Sequence, residues 1–163
     1  MSAPGPRVGL GVDLHGWDPG RPLLLGGVSF EGEPGLAGHS DGDVVCHAVA
    51  DALLGAAGLA DLGAHFPDDD PAFAGMAGLA LLERVMGMVT TQGIEPTHVD
   101  TTVLAERPAI GPRREAMVRA LAGALGLDPE HVSVKATRPE GLGLTGDGIG
   151  CLAVALVQPR ATG

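Results

Sequence analysis

The sequence predicts an α/β domain, similar to an α+β sandwich, in which helices cover one face of a four-stranded mixed sheet. Three observations predict this class. Apolar extended runs and segments of helical periodicity follow one another in the order β-β-α-α-β-α-β-β. A length of 163 residues suits one domain, residues 1–163. Apolar residues make up 45% of the chain, which is enough for a core.

Two extended segments open the chain. Residues 7–15 are dense in apolar side chains and glycine, and they are predicted to form a strand. Residues 16–21 contain Pro and Gly and are predicted to form a turn. Residues 22–30 are predicted to be a second extended piece, in which Gly26 and Gly27 mark a bend or bulge.

Two helices follow these strands. Residues 31–42 are predicted to form a loop, and either Asp41 or Asp43 can cap a helix that runs to about Leu59. After an acidic loop, residues 77–92 carry apolar side chains at helical spacing and predict the next helix.

Three strands and one helix make up the second half. Residues 98–105 predict a strand, and Pro112 marks the first turn of a helix that ends near Gly126. Residues 132–137 and 151–157 predict the last two strands.

Composition excludes several classes of function. A formal charge of -10 argues against a nucleic-acid or anionic-membrane surface. We find no apolar run long enough to span a membrane and no signal-peptide pattern at the start. The two cysteines lack metal or redox spacing, so a cytoplasmic protein is expected. Aromatic residues are only 2%, which predicts a modest aliphatic core that subunit contacts supplement.

A metal site is the first candidate for chemistry. Asp13 and His15 are two residues apart on a predicted strand and therefore face the same side. His47 lies early in the first long helix. One carboxylate and two imidazoles suit a borderline ion such as zinc, and three protein ligands leave the open position of a catalytic site. Taken alone, an Asp-x-His triplet is common and a weak signal.

Three loops are further candidates. His39 and Ser40 precede a helix and could bind phosphate at its N-terminus, although in isolation a plain capping loop is the better interpretation. Residues 66–70 could line a pocket or form a solvated acidic turn. Residues 137–141 offer a Thr and an Arg for phosphate and a Glu for a second metal, or they form a surface turn.

These motifs together resemble the 2-C-methyl-D-erythritol 2,4-cyclodiphosphate synthase family. The motifs are GVDLH at 11–15, HSDGDVVCHAVADALLGAAGLADLGAHFPDDDP at 39–71, and VKAT-x-x-E-G-L-G-x-T-G at 134–146. The resemblance covers essentially the whole chain in the same order. It implies a homotrimer around a central axis, with active sites between neighbouring subunits.

The resemblance also implies a reaction. The substrate would be 4-diphosphocytidyl-2-C-methyl-D-erythritol 2-phosphate, cyclised with release of CMP in the methylerythritol phosphate route to isoprenoids. By position, Asp13, His15 and His47 match zinc ligands, and Glu140 matches the ligand of a magnesium or manganese ion at the diphosphate.

His39 and Arg138 stand at the implied catalytic positions. The implied substrate-binding residues fall on the metal strand, the two loops around the first helix, the predicted cytidine loop and the last loop of the chain. They are Asp13, Leu14, His15, His39, Ser40, Asp61, Leu62, Gly63, Phe66, Pro67, Asp68, Asp69, Asp70, Ala105, Glu106, Arg107, Pro108, Ala109, Ile110, Gly111, Thr137, Arg138, Pro139, Glu140, Leu144 and Asp147.

Some positions depart from the family pattern. Arg138 replaces a usual Thr, and Ala109 replaces a usual basic residue. Asp147 replaces an Arg and Leu144 a Phe, in a region where relatives bind a prenyl diphosphate on the trimer axis. Three Asp147 carboxylates would repel that anion, so we expect no such binding. Two alternatives to the cyclase remain, namely a metal-dependent phosphohydrolase and a non-catalytic metal-binding trimer.

Overall fold

Five strands and four helices form the part of the chain that this computed structural model describes, residues 5–161. The strands are β1 Arg7–Leu25, β2 Val28–Leu36, β3 Ile94–Leu104, β4 Val132–Thr137 and β5 Gly148–Pro159. The helices are α1 Val44–Ala57, α2 Leu62–His65, α3 Gly78–Thr91 and α4 Arg114–Leu125. Residues 1–4 and 162–163 lie outside the described residues. The expectation of no signal peptide at the start of the chain therefore falls partly on residues that are not described.

The sheet contains five strands, so the prediction of four was wrong. Their order is β2-β1-β5-β3-β4, and only the β3–β4 pair is parallel. All five extended segments enter the sheet because β2 pairs with the second half of β1 instead of ending as an isolated piece. The predicted α/β class, with a mixed sheet and helices, is confirmed.

The long β1–β2 hairpin explains this difference. β1 does not turn at residues 16–21. The strand continues through this Pro- and Gly-containing stretch, and its pairing with β2 shifts register between Asp18 and Leu24, as in a β-bulge. The chain reverses instead at Gly26 and Gly27, whose φ angles of 57° and 75° suit a tight hairpin turn. Much of the predicted loop after residue 30 is therefore strand β2.

Helix α1 lies directly on β1. A Cβ atom at Gly9 would come within 1.9 Å of the Ala52 carbonyl oxygen, and one at Gly11 within 1.9 Å of the Ala48 carbonyl oxygen. The two glycines therefore let the helix backbone approach closer than any side chain would allow. The result is a small-residue interface that fixes the height of α1 above the strand.

The opposite face of the sheet carries no helix in the described part of the chain. It exposes seven aliphatic side chains from the two central strands: Val8, Leu10, Val12, Leu14, Leu152, Val154 and Leu156. An exposed apolar patch of this kind marks an interaction surface. Among residues 5–161, none of the helices has both the length and the apolar character needed to cross a membrane.

Asp43 is the N-cap of α1 and is fully buried. Its Oδ1 accepts hydrogen bonds from the N–H groups of Val45 and Cys46 at 3.1 Å and of Gly26 at 2.8 Å. Its Oδ2 accepts from the Gly27 N–H at 2.7 Å. One carboxylate thus joins the start of α1 to the hairpin turn.

Replacing Asp43 with asparagine is expected to lower the free energy of unfolding by about 2 kcal/mol, because an amide NH₂ would face a backbone N–H and leave buried donors unpaired. Chemical denaturation measures the change. The control is Asp18→Asn, since among residues 5–161 the Asp18 carboxylate accepts a single hydrogen bond, from the Gly20 N–H at an exposed site. Equal stability of the two variants would contradict the assigned role of Asp43.

Candidate active site

Asp13, His15 and His47 converge as the sequence predicted. His15 Nε2 lies 2.8 Å and His47 Nδ1 3.1 Å from the same carboxylate oxygen, Asp13 Oδ2. β1 supplies the first two residues and α1 the third, and the close packing of α1 on β1 brings His47 within reach. The three ligand atoms lie within 4.8 Å of one another, a spacing that one metal ion can bridge.

The outer nitrogens of both imidazoles also have partners. His15 Nδ1 donates to the Ala37 carbonyl oxygen, and His47 Nε2 lies 2.9 Å from Ser40 Oγ. Both partners can accept an N–H, so each ring can keep its proton on the outer nitrogen and offer the lone pair of its inner nitrogen to a cation bound beside Asp13. This arrangement orients imidazole ligands of metals in general, and the residues present therefore fit a divalent cation.

The electrostatics of the triad favour a cation. Burial acts to raise the pKa of the Asp13 carboxyl, but hydrogen bonds from His15 and His47 outweigh it and lower that pKa to about 2. The hydrogen bond to Asp13 raises the pKa of His15 above its usual value. Asp13 is thus an anion at neutral pH that favours a positive charge beside it, and a metal ion can supply that charge.

A cavity of about 270 Å³ opens beside the triad. It is lined by residues from β1, the loop before α1, α1 itself and the segment around α2: Asp13, His15, Gly38, His39, Ser40, His47, Leu62, Gly63, Phe66, Asp68, Phe73 and Leu81. The structure therefore brings together nine of the predicted site residues. Their mixture of imidazole, hydroxyl and apolar groups can hold a small phosphorylated polyol.

Two aspartates position the α2 segment against the cavity. Asp51 on α1 accepts the Leu62 N–H at 3.0 Å, and Asp61 accepts the Ala64 N–H at 2.9 Å as the N-cap of α2. Asp61 itself lines a smaller neighbouring cavity of about 130 Å³, together with Asp13 and His47. The acidic loop predicted between the first two helices is thus partly helical, and its capping carboxylates set where its backbone lies.

Other predicted residues near the triad do not line the main cavity. Leu14 points to the opposite, exposed face of the sheet. Pro67 and Asp69 are absent from the lining, and Asp70 acts through its backbone, since its carbonyl oxygen lies 3.2 Å from His39 Nε2.

The remaining predicted residues form a second group at the ends of β3 and β4. Ala105 N–H donates to the Thr137 carbonyl, and Glu106 accepts the Gly141 N–H at 2.9 Å. This second group consists of residues 105–111 and 137–140, and none of them lines the main cavity. Leu144 and Asp147 follow it in the exposed loop before β5.

The two groups are separated within one chain. Asp13 pairs with Cys151, Cys151 with Val103, and Val103 with Ala136, so three strand spacings, roughly 14 Å, lie between β1 and β4 at this level. Glu140 is exposed, with a φ of 54°. A single chain therefore presents two partial sites.

Sequence reasoning missed four cavity or contact residues: Ala37, Gly38, Phe73 and Leu81. Ala37 acts through its carbonyl oxygen, which every residue type has, so its identity carries no signal. At Gly38 a Cβ would lie 3.1 Å from His15 Cε1, and only the three-dimensional contact reveals that restriction.

Comparisons with known proteins identify the family of the chain. A family model described as the YgbB family matches residues 6–158. The chain is 52% identical over 155 residues to a 2-C-methyl-D-erythritol 2,4-cyclodiphosphate synthase from Symbiobacterium thermophilum, covering 94% of this chain and 99% of that relative.

The chain also superposes on solved structures of similar proteins. The bifunctional IspDF from Campylobacter jejuni superposes with a TM-score of 0.90 and 38% identity, over 94% of this chain and 42% of the longer protein. A 2C-methyl-D-erythritol-2,4-cyclodiphosphate synthase solved with CDP superposes with a TM-score of 0.86 and 35% identity, over 93% of this chain and all of that one.

Proposed function

Because the chain belongs to the YgbB family, we propose that it catalyses the cyclisation for which its 2-C-methyl-D-erythritol 2,4-cyclodiphosphate synthase relatives are named. It converts 4-diphosphocytidyl-2-C-methyl-D-erythritol 2-phosphate to 2-C-methyl-D-erythritol 2,4-cyclodiphosphate and CMP. The observation that carries the proposal is the convergence of Asp13, His15 and His47 beside a cavity of suitable size. The enzyme is then a phosphorus–oxygen lyase of the non-mevalonate isoprenoid pathway.

The reaction is an intramolecular phosphoryl transfer. An oxygen of the 2-phosphate forms a bond to the β-phosphorus of the diphosphate. The bond from that phosphorus to the bridging oxygen breaks, and CMP leaves with the bridging oxygen and its electron pair. The protein mainly has to align the two phosphates and stabilise charge on their oxygens.

Asp13 Oδ2, His15 Nε2 and His47 Nδ1 are the ligands of a divalent ion, which we propose to be zinc. When bound, this ion neutralises and orients phosphate oxygens of the substrate. The chain contributes the fixed anion at Asp13 and the two oriented imidazoles. A second ion, magnesium or manganese, is assigned to Glu140 in the second group.

The cavity holds the erythritol end of the substrate. His39 and Ser40 face it from the loop before α1 and are placed to donate hydrogen bonds to phosphate. Phe66 and Leu81 supply apolar surface for the methyl-bearing carbon chain, and Asp68 can accept from a hydroxyl.

The second group supplies the nucleotide end. Residues 105–111 are proposed to bind cytidine through backbone groups, while Thr137 and Arg138 bind the diphosphate. Arg107 is already engaged within the chain, since its guanidinium lies 4.8 Å from the Trp17 ring and 2.8 Å from Glu33. These contacts anchor the cytidine loop, and they leave its backbone to recognise the base.

We propose that the two partial sites meet between neighbouring subunits of a trimer. The separation of roughly 14 Å inside one chain prevents Glu140 from joining the triad of its own subunit. The exposed aliphatic face of β1 and β5 provides the surface for such an assembly. Cys46 and Cys151 are free and buried, in keeping with the reducing cytoplasm expected from the sequence.

The test is CMP release from the cytidine diphosphate substrate, with the product identified by phosphorus NMR. We expect a cyclic diphosphate and loss of activity with a chelator, restored by added zinc and magnesium. A linear phosphate product would support a hydrolase instead, and no turnover with full metal occupancy would support a binding protein. Either result would overturn the proposal.

Subunit mixing tests the shared site. His47→Ala and Glu140→Ala are each expected to be inactive alone, but a mixture of equal amounts, refolded together, should regain roughly one quarter of wild-type activity. The reason is that one in four interfaces then pairs an intact triad with an intact Glu140, if subunits assemble at random. CMP release measures the recovery, and mixing without refolding is the control. No recovery in verified mixed trimers would place both residues in one subunit's site.

A further inference from the structure

Arg21 is a charged residue outside the cavity that contacts the loop carrying the site. It lies in the second half of β1, and its guanidinium reaches three backbone carbonyls of residues 36–40. Nη1 donates to the Leu36 oxygen at 3.2 Å and to the Gly38 oxygen at 2.7 Å, and Nη2 donates to the Ser40 oxygen. One side chain thus spans the loop from the end of β2 to the residue beside the triad.

The same loop holds both imidazoles of the triad. The Ala37 carbonyl accepts from His15 Nδ1, and Ser40 Oγ lies 2.9 Å from His47 Nε2. Ala37 lies between Leu36 and Gly38, whose carbonyls Arg21 binds, and the Ser40 hydroxyl belongs to the third residue that Arg21 binds. A shift of the loop would therefore release both rings at once.

The loop needs a cation to adopt this shape. Three carbonyl oxygens converge on one point, and their partial negative charges repel one another unless a positive group lies between them. A planar guanidinium has five N–H donors in a fixed fork and matches several acceptors at once. Among residues 5–161, Arg21 forms no ion pair with a carboxylate, so its hydrogen bonds serve these carbonyls.

Other contacts fix only part of the loop. The Ala37 N–H donates to the Gly16 oxygen at 2.9 Å, and the Gly75 N–H donates to the His39 oxygen at 2.9 Å. Neither contact orients the peptide group after Gly38, whose oxygen Arg21 binds. The peptide group after Ser40 is held on both sides, since its oxygen accepts from Arg21 and its Asp41 N–H donates to the Met76 oxygen at 3.1 Å. The hydroxyl of Ser40 also accepts the Gly42 N–H at 3.3 Å, and the guanidinium contact fixes the backbone from which that hydroxyl projects.

We propose that Arg21 is a positioning residue, which holds residues 36–40 in the conformation that orients His15 and His47 for metal binding. This inference rests on the proposed metal site. Arg21 touches neither the cavity nor the ligand atoms, and it acts through the Ala37 carbonyl and the Ser40 hydroxyl.

The experiment compares Arg21→Gln and Arg21→Lys with wild type in two measurements. The first is zinc affinity of the metal-free protein, by competition with a chromophoric chelator. We expect roughly 10- to 100-fold weaker binding for Arg21→Gln, the range for lost partners of metal ligands, and an intermediate value for Arg21→Lys. The second is the NMR signal of the His15 Nδ1–H proton without metal, which should be visible in wild type and lost to solvent exchange in Arg21→Gln.

The matched control is Arg119→Gln. Arg119 is exposed on α4 and contacts only Glu115, at 3.6 Å, in the contacts of the described chain. It should leave both measurements unchanged. If wild type binds no zinc, the proposed metal site fails, while the His15 signal still tests Arg21. A folded Arg21→Gln protein with wild-type zinc affinity and an unchanged His15 signal would overturn the inference, and Arg21→Lys provides the same test if Arg21→Gln does not fold.

Discussion

Replacing His47 with alanine is expected to lower kcat/KM for CMP release by roughly 100- to 1000-fold. The substitution removes one of three ligands and leaves Asp13 with a single imidazole partner. A metal ion contributes several kcal/mol to charge stabilisation in phosphoryl transfer, and 3–4 kcal/mol corresponds to about this loss of rate. Bound zinc per subunit, measured by mass spectrometry, should fall in parallel with the rate.

Two controls distinguish lost chemistry from lost structure. His47 is only 6% exposed, so the variant also leaves a small void, and thermal unfolding should be recorded with the kinetics. His98→Ala removes an exposed imidazole from β3 and should change neither rate nor zinc content. If His47→Ala loses zinc but keeps its rate, the triad is structural and the proposed mechanism is wrong.

The triad was predictable because it depends on local geometry. Asp13 and His15 share a strand face at a spacing of two, and this relation holds wherever the strand lies. That His47 joins them was a weaker prediction, since it required the first helix to pack on the first strand. Gly9 and Gly11 are required for this packing, because α1 backbone atoms occupy the space of their side chains. The sequence alone does not show that contact, so the two glycines could not be recognised as a helix-packing site.

The misplaced turn shows where local signals fail. Pro19, Gly20 and Pro22 favour a turn by every local rule, yet the strand continues through them. The pairing of Trp17, Asp18 and Pro22 with β2 overrides the local preference, together with the contacts of the Arg21 side chain to backbone carbonyls. Residues that act through long-range pairing cannot be recognised from their immediate neighbours.

The second group illustrates a different limit. Residues 105–111 and 137–140 were expected to share an active site with the triad between neighbouring subunits, and register across the sheet keeps the two groups apart within one chain. No periodicity or spacing reports whether two loops of one sequence meet in the same subunit or across an interface. The sheet register makes the distinction, because it fixes the number of strands between them.

Gly11→Ala is expected to reduce both the free energy of unfolding and the zinc affinity. It tests whether the close packing of α1 on β1 sets the position of His47. The added Cβ would lie 1.9 Å from the Ala48 oxygen and 2.7 Å from the Ala52 nitrogen, so α1 must move by about 1.5 Å to restore ordinary contact distances. Overpacking of this kind costs about 3 kcal/mol, which corresponds to a fall of roughly 6–12 °C in Tm for a chain of this size.

The movement of α1 would also carry His47, the neighbour of Ala48, away from Asp13. A displacement of about 1 Å can cost on the order of 100-fold in a site that depends on alignment, so zinc affinity and kcat/KM should fall together. Gly55→Ala is the matched control, because Gly55 is also in α1 but has no atom within 4 Å of an added Cβ. It should raise stability by about 0.5–1 kcal/mol through helix propensity. If Gly11→Ala melts within a degree of wild type and binds zinc equally well, the close approach of α1 to β1 does not set the position of His47.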